Sequence, residues 1–159
     1  MTEYRPFNLL MVDDSVADIR LMLEAIRLSG LDTLASSHYS STWPEAFDTL
    51  ESNYENGVHF HLMLLDLNLP KVDGREILNT IRQNERYASL PVIIVTNSDY
   101  GKDISDCFSL GAHAYLEKPS DFNHLVDFFV AVRQSLELTH RACALEIQKN
   151  YHQLRTLQH

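Results

Sequence analysis

Short apolar runs alternate with longer segments of helical periodicity along most of the chain. The apolar runs span residues 8–12, 33–37, 61–65, 92–95 and 113–116. Runs of this length are typical of β-strands. Residues 61–65 are almost continuously apolar, as expected of a central strand covered on both faces, whereas residues 33–37 are more polar and favour a sheet edge.

The segments between these runs predict a helix after each strand. Ser15 is a typical N-cap and Gly30 a typical C-terminal stop for the first helix, and Thr42 followed by Pro44 starts the second. Three later helices are predicted at residues 75–82, 104–110 and 121–137. Five strand–helix units in succession predict an α/β fold with a doubly wound parallel sheet and right-handed crossovers.

Composition and charge narrow the class of protein. The 159 residues carry a formal net charge of −9, and the basic residues are scattered, which argues against DNA and against an anionic membrane surface as partners. Cys107 and Cys143 lack metal-site or redox-motif spacing, so we expect free thiols in a reducing compartment. Residues 1–7 do not have the pattern of a signal peptide, and the expected location is the cytoplasm.

Carboxylates follow two of the predicted strands at the point where each strand ends. Asp13 and Asp14 come directly after residues 8–12, and Asp66 comes directly after residues 61–65. The carboxyl ends of neighbouring parallel strands meet at one edge of a sheet, so these three side chains should lie close together and repel one another. Oxygen-only ligands favour a hard cation such as Mg²⁺, which usually works with phosphate groups. The pattern therefore indicates phosphoryl chemistry.

The whole set of strand-end residues resembles the receiver domain of two-component response regulators. Residues 11–15 resemble its acidic pair, residues 64–70 with Asp73 and Gly74 its phosphoacceptor strand and loop, residues 95–96 its fourth strand, and residues 118–119 the lysine after its fifth strand. The resemblance implies a CheY-like sheet of order 2-1-3-4-5. It is closest in character to the single-domain regulators that partner bacterial phytochromes.

The resemblance implies a role for each carboxylate. Asp66 would be the nucleophile that accepts a phosphoryl group as an acyl phosphate. Asp13, Asp14 and Asp66 would hold Mg²⁺ together with the backbone carbonyl of Asn68, and the cation would neutralise charge on the phosphoryl oxygens. Asn68 also matters for turnover: neither it nor Ser98 is acidic, so no evident general base exists for an attacking water, and we expect a long-lived phosphoryl group.

The remaining positions implied by the resemblance would contact the phosphoryl group or respond to it. Thr96 would donate its hydroxyl to one phosphoryl oxygen, and Lys118 would supply a positive charge to another. Tyr115 would be the switch aromatic that turns inward when Thr96 engages phosphate; the alternative is a strand tyrosine that simply packs against the fourth helix. Asn97 stands where most receivers carry a small residue, and its bulk is expected to narrow access to the site.

Other readings of the same residues remain open. A phosphatase of the haloacid-dehalogenase type would need a second Asp two residues after the nucleophile, where this chain has Asn68. A flavodoxin-like electron carrier would need a phosphate-binding loop after the first strand, where Asp13 and Asp14 would repel the phosphate. Nothing in the motif favours a receiver-like binding module that works without phosphorylation, because no active-site position is lost, but Asn97 keeps it open.

The C-terminal residues and the partners complete the expectations. We divide the chain into a receiver domain at 1–137 and a helical extension at 138–159, without a separate output domain. The extension either lies on its own domain or pairs with a second copy in a homodimer, with a contact surface formed by the fourth helix, fifth strand and fifth helix near Tyr115, Phe122 and Phe128. The expected function is a signalling switch rather than an enzyme, phosphorylated by a sensor histidine kinase (a bacterial phytochrome is the suggested one) and acting on a downstream protein target.

Overall fold

A computed structural model describes residues 7–97, 101–139 and 144–157 of the chain. Earlier expectations that concern residues 1–6, Ser98 and Cys143 lie outside these ranges. Five parallel strands form one sheet in the order β2-β1-β3-β4-β5. They are β1 (Phe7–Val12), β2 (Ala35–Ser40), β3 (Leu62–Leu65), β4 (Val92–Thr96) and β5 (Ala114–Glu117). The predicted fold class and strand order are confirmed.

Helices follow the strands as the alternation predicts. They are α1 (Val16–Ser29), α2 (Trp43–Glu55), α3 (Gly74–Gln83), α4 (Gly101–Ser109), α5 (Phe122–Thr139) and α6 (Ala144–Leu157). The sheet separates two cores. One lies between the sheet and α1, α5 and α6, and the other lies under α2, α3 and α4. Every residue of β1, β3 and β4 is buried, as expected of strands covered on both faces.

The ends of α1 show how local sequence sets the geometry near the future site. The Ser15 hydroxyl accepts a hydrogen bond from the Asp18 backbone N–H at 3.2 Å, and Gly30 closes the helix with a φ of +80°. Both predicted caps are confirmed. Gly30 then leads into a single 3₁₀ turn, Leu31–Thr33, in which the Thr33 hydroxyl bonds to the Gly30 carbonyl.

That turn corrects the predicted second strand. Residues 31–33 are helical rather than extended, so β2 runs from Ala35 to Ser40 and not over residues 33–37. The prediction was wrong in its bounds because the polar residues after Gly30 fit a tight turn as well as a strand. The edge position of β2 is confirmed, since among the described strands β2 pairs only with β1, and most of its side chains are partly exposed.

The C-terminal extension packs against its own domain. Ile147 and Tyr151 of α6 are 0% and 2% exposed, within the core that also contains Phe128 of α5. The predicted contact surface is therefore wrong at Phe128, which is only 3% exposed because α6 covers it. Helix α5 runs to Thr139, two residues past the limit of 137 set from the sequence. Within the described ranges, no helix combines the length and the hydropathy needed to cross a membrane.

Candidate functional site

Four strands bring the polar residues that follow them to one edge of the sheet. Val12 and Leu65 are neighbours in the register of β1 and β3, and the Asp66 backbone N–H continues this ladder with a 3.0 Å bond to the Val12 carbonyl. Thr96 and Glu117 are neighbours in β4 and β5, and the Lys118 N–H bonds to the Thr96 carbonyl at 2.8 Å. The backbone thus places Asp66, Thr96 and Lys118 at the carboxyl edge, where open α/β sheets bind ligands.

Three carboxylates converge at this edge. Asp13, Asp14 and Asp66 each offer an oxygen, and these oxygens all lie within 4.8 Å of one another. Asp13 and Asp66 are buried, at 3% and 6% exposure, while Asp14 is exposed. The donor set consists of oxygens only and opens to solvent on the Asp14 side, so the residues fit a hard divalent cation.

Burial also affects the protonation of Asp13. Loss of hydration raises the pKa of the Asp13 carboxyl, and hydrogen bonds from Lys118 and from the Ser15 backbone N–H offset this only in part. The Ser15 N–H donates to Asp13 Oδ1 at 2.9 Å. Burial therefore disfavours the ionised form of the Asp13 carboxyl, and a bound cation would stabilise that form.

Lys118 is the positive centre of the site. Its Nζ lies 2.7 Å from Asp13 Oδ2, 2.8 Å from Asp18 Oδ2 and 2.9 Å from Asp66 Oδ2. Burial acts to lower the pKa of Lys118, but hydrogen bonds to the three carboxylates outweigh it and raise the pKa. Lys118 is therefore a fixed positive charge next to the predicted nucleophile.

Thr96 and Asn68 form the other side of the site. Thr96 is fully buried at the end of β4, and its hydroxyl accepts a 3.1 Å hydrogen bond from Asn68 Nδ2. The Asn68 backbone N–H donates to Asp66 Oδ1 at 3.0 Å. These bonds, which were not predicted from the sequence, join the loop after β3 to both the predicted nucleophile and the predicted hydroxyl donor.

The loop that carries Asn68 is held by close packing against α3. The Gly74 N–H bonds to the Leu67 carbonyl, and a Cβ at position 74 would lie 2.8 Å from Leu67 Cα. Asp73 caps α3 by accepting the Arg75 N–H at 2.9 Å. Only glycine permits this approach of helix and loop, which fixes the path of the chain from Asp66 to α3.

Tyr115 lies on β5, opposite Ile94 of β4. Its ring is partly buried against the core under α2, α3 and α4, and its carbonyl accepts a hydrogen bond from Gln148 of α6 at 3.4 Å. Both interpretations of Tyr115, as the switch aromatic and as a tyrosine that packs against the fourth helix, stay predictions.

Asp18 is a further member of the site that was not predicted from the sequence. Asp18 stands in the first turn of α1, where an acidic residue is ordinarily explained by the positive end of the helix dipole. Its contact with Lys118 joins residues 100 positions apart. A possible signal in the sequence was the short distance from the N-cap Ser15, which places residue 18 near the sheet edge.

Comparison with known proteins agrees with this geometry. The model of the response regulator receiver domain matches residues 9–129. Response regulator Rcp1 from Synechocystis sp. is 37% identical over 120 residues, which cover 76% of this chain and 82% of Rcp1. A structure of the phosphorylated cyanobacterial phytochrome response regulator RcpA aligns with a TM-score of 0.74 and 28% identity, over 88% of this chain and 99% of RcpA.

A second similar structure contains a divalent cation. The Mn²⁺-bound form of Rcp1 aligns with a TM-score of 0.70 and 34% identity, over 84% of this chain and 96% of Rcp1. Receiver domains bind divalent metals, and the carboxylate group at Asp13, Asp14 and Asp66 is compatible with that property. The family match covers all four strand ends that build the site, from Val12 to Glu117. The chain belongs to the response regulator receiver family.

Proposed function

We propose that Asp66 accepts a phosphoryl group from a sensor histidine kinase in a Mg²⁺-dependent reaction and thereby switches a protein–protein surface. The observation that carries this proposal is the convergence of a nucleophile, a cation site and a fixed positive charge: Lys118 contacts Asp66 and Asp13 at once. A protein with this arrangement offers a reactive carboxylate and, around it, the charges needed to stabilise a transferred phosphoryl group.

The reaction follows from the positions of the side chains. An Asp66 carboxylate oxygen attacks the phosphorus of a phosphohistidine; the new O–P bond forms as the P–N bond breaks, and the released imidazole takes a proton from solvent. Asp13, Asp14 and Asp66, with the Asn68 carbonyl, would hold Mg²⁺, which supplies charge neutralisation at the phosphoryl oxygens. Lys118 donates to a phosphoryl oxygen in place of its present bond to Asp66.

Thr96 and Tyr115 would convert the chemistry into a change of surface. The Thr96 hydroxyl would move away from Asn68 and donate to the phosphoryl group. This movement would change the packing beside β4. Tyr115 lies on the neighbouring strand and is joined through its carbonyl to Gln148 of α6. A movement of β5 would therefore reach α6, which is the surface we expect a downstream protein to detect.

The partners that we propose for this chain are suggested in part by the proteins that it resembles. Rcp1 is a response regulator, and RcpA is described as a cyanobacterial phytochrome response regulator. We propose a sensor histidine kinase of the phytochrome type as the phosphoryl donor and the cytoplasm as the place of action. The output is binding to a protein target, so we do not assign an enzymatic activity of its own, and neither DNA nor a membrane surface suits a chain with a net charge of −9.

A homodimer is also proposed, with contact residues that differ from those predicted from the sequence. The apolar residues Ile147 and Tyr151 are buried within the protomer and are not available for contact with a second copy. Leu138 and Phe108, in contrast, are 71% and 45% exposed. These two exposed side chains, on α5 and α4, are the candidates for contact with a second copy. Light scattering during size-exclusion chromatography, before and after phosphorylation, measures the oligomeric state directly.

The decisive experiment is phosphoryl transfer from a labelled histidine kinase, with and without Mg²⁺. We expect labelling that requires Mg²⁺ and that Asp66→Asn abolishes. Asp32→Asn serves as the matched control, because Asp32 is an exposed aspartate in the 3₁₀ turn, on the far end of α1. A folded protein that binds Mg²⁺ but accepts no phosphoryl group from a kinase or from acetyl phosphate would favour the binding module that works without phosphorylation.

A further inference from the structure

Lys118 binds three carboxylates, and one of them does not belong to the group that could hold a cation. Asp13 and Asp66 are members of that group, together with Asp14. Asp18 is not, yet its Oδ2 lies 2.8 Å from Lys118 Nζ, as close as the other two. An ammonium group has three N–H donors, so Lys118 has one donor for each carboxylate.

A cation in the site would compete with Lys118 for two of these partners. Mg²⁺ binding to Asp13 and Asp66 engages the carboxylates that now accept hydrogen bonds from the ammonium. Two positive charges would then share the same pair of acceptors. A partly buried ammonium that loses its acceptors is no longer compensated for its lost hydration. This desolvation penalty would weaken cation binding.

Asp18 provides the ammonium with an acceptor that the cation does not use. The Asp18 side chain is 35% exposed, so it lies on the solvent side of Lys118, whose own side chain is 12% exposed. A cavity of about 40 Å³ adjoins the pair and is lined by both residues together with Met22, Val95 and Leu125. The Lys118 side chain therefore has some space beside it while its ammonium stays on Asp18.

Asp18 is also held firmly enough to act as an anchor. It stands in the first turn of α1, where the Ser15 hydroxyl accepts its backbone N–H at 3.2 Å. Asp13, which precedes this turn, is tied to the same cap through the Ser15 N–H. The cap thus fixes the relative positions of a cation-site carboxylate and of the carboxylate that would receive the ammonium.

We propose that Asp18 is a positioning residue: it retains the Lys118 ammonium at the edge of the site when Mg²⁺ binds Asp13 and Asp66. Asp18 thereby lowers the cost of cation binding and keeps Lys118 within reach of a phosphoryl group on Asp66. This inference rests on the proposed function, because it assumes that Mg²⁺ occupies the carboxylate group.

The test is a double-mutant cycle on Mg²⁺ affinity, measured by amide NMR titration of the unphosphorylated protein with Mg²⁺ alone. We expect Asp18→Ala to weaken Mg²⁺ binding about fivefold, equivalent to about 1 kcal/mol. Asp18→Ala added to Lys118→Met should have almost no further effect, because the ammonium that Asp18 serves is gone. Glu24→Gln is the matched control, since it removes an exposed charge from the same helix away from the site.

The cycle separates positioning from simple charge. Equal weakening by Asp18→Ala with and without Lys118 would overturn the inference, because Asp18 would then act on the cation directly. Unchanged or tighter Mg²⁺ binding in Asp18→Ala would overturn it as well. Asp18→Asn keeps an oxygen acceptor, so its Mg²⁺ affinity should lie between those of wild type and Asp18→Ala. Such an intermediate affinity would show that the weaker binding of Asp18→Ala is not the result of a folding defect. A wild-type protein that does not bind Mg²⁺ would overturn the proposed function together with this inference.

Discussion

Tyr151 of α6 packs edge-on against Phe128 of α5, with ring centroids 5.8 Å apart and planes at 81°. Both rings are buried, and the contact joins the extension to the core between the sheet, α1 and α5. An aromatic pair of this geometry stabilises beyond its buried area. Helix α6 of the extension therefore shares a core with α5.

We expect Tyr151→Ala to lower the free energy of unfolding by about 3 kcal/mol, the usual cost of removing a buried aromatic side chain. The loss would enlarge the existing cavity of about 190 Å³ between β5, α5 and α6. Urea denaturation measures the effect, and Gln153→Ala, an exposed position on α6, is the control. Equal stability of the two variants would show that α6 does not pack on α5 in solution.

The buried Asp13 predicts a pH-dependent gain in stability on substitution. Its pKa is raised in the folded state by burial, so ionised Asp13 destabilises the fold above its ordinary pKa of 3.8. Asp13→Asn should therefore raise the melting temperature at neutral pH by a few degrees, the shift that about 1 kcal/mol produces in a domain of this size. Lys118 retains Asp18 and Asp66 as partners in this variant.

The sign of the effect can be followed with pH. As pH falls through the raised pKa of Asp13, wild type takes up the proton and the advantage of Asp13→Asn shrinks; below the unfolded pKa it vanishes. Thermal unfolding in chelator between about pH 4 and pH 8 measures this, with the exposed Asp48→Asn as control. An advantage that grew towards acid pH would contradict the assignment. Saturating Mg²⁺ should reverse the order at neutral pH, because it stabilises only a protein that binds it.

Local signals in the sequence were sufficient for the elements that build the site. The apolar runs placed Asp13, Asp66 and Thr96 at strand ends, and Ser15 and Gly30 marked both ends of α1. These features depend on neighbours in the chain, namely burial periodicity and helix capping. Parallel pairing then brings the strand ends together.

Features that depend on distant packing could not be predicted. The bond between Asp18 and Lys118 depends on how the start of α1 lies relative to the residue that follows β5, and no periodicity encodes that distance. The face of α6 that packs inward was equally undetermined, because its apolar positions change face along the helix; only the fold shows that Ile147 and Tyr151 cover Phe128. The 3₁₀ turn at Leu31–Thr33 was missed for a different reason, since its residues suit both a turn and an edge strand.

Close packing at Gly74 predicts a defect in both stability and the site. Alanine at position 74 would bring a Cβ to 2.8 Å from Leu67 Cα and 3.1 Å from the Asp66 carbonyl, and both contacts are backbone atoms that cannot turn aside. We expect Gly74→Ala to cost about 2 kcal/mol and to slow phosphorylation of Asp66. Urea denaturation and phosphotransfer measure the two effects, with the exposed Thr80→Ala on α3 as control. Wild-type behaviour in both would show that the loop after β3 has more freedom than the structure indicates.

We expect Asn68 to influence how long the phosphoryl group lasts on Asp66. Its side chain bonds to Thr96 and its backbone to Asp66, so it borders the position that an attacking water must reach, and it cannot act as a base. We therefore expect a phosphoryl half-life of minutes or longer. Asn68→Glu places a carboxylate beside that water and should shorten the half-life about a hundredfold, the low end of the effect of a general base.

The loss of label after removal of the kinase measures this half-life. Asn79→Glu is the matched control, because it adds the same charge on the exposed side of α3, away from the site. A half-life of seconds in wild type would contradict the assignment, since the site would then have a base or an activated water that Asn68 does not provide. Equal acceleration by both substitutions would attribute the effect to net charge. A shorter half-life in Asn68→Glu but not in Asn79→Glu would show that the residue two places after the nucleophile sets the lifetime of the phosphorylated state.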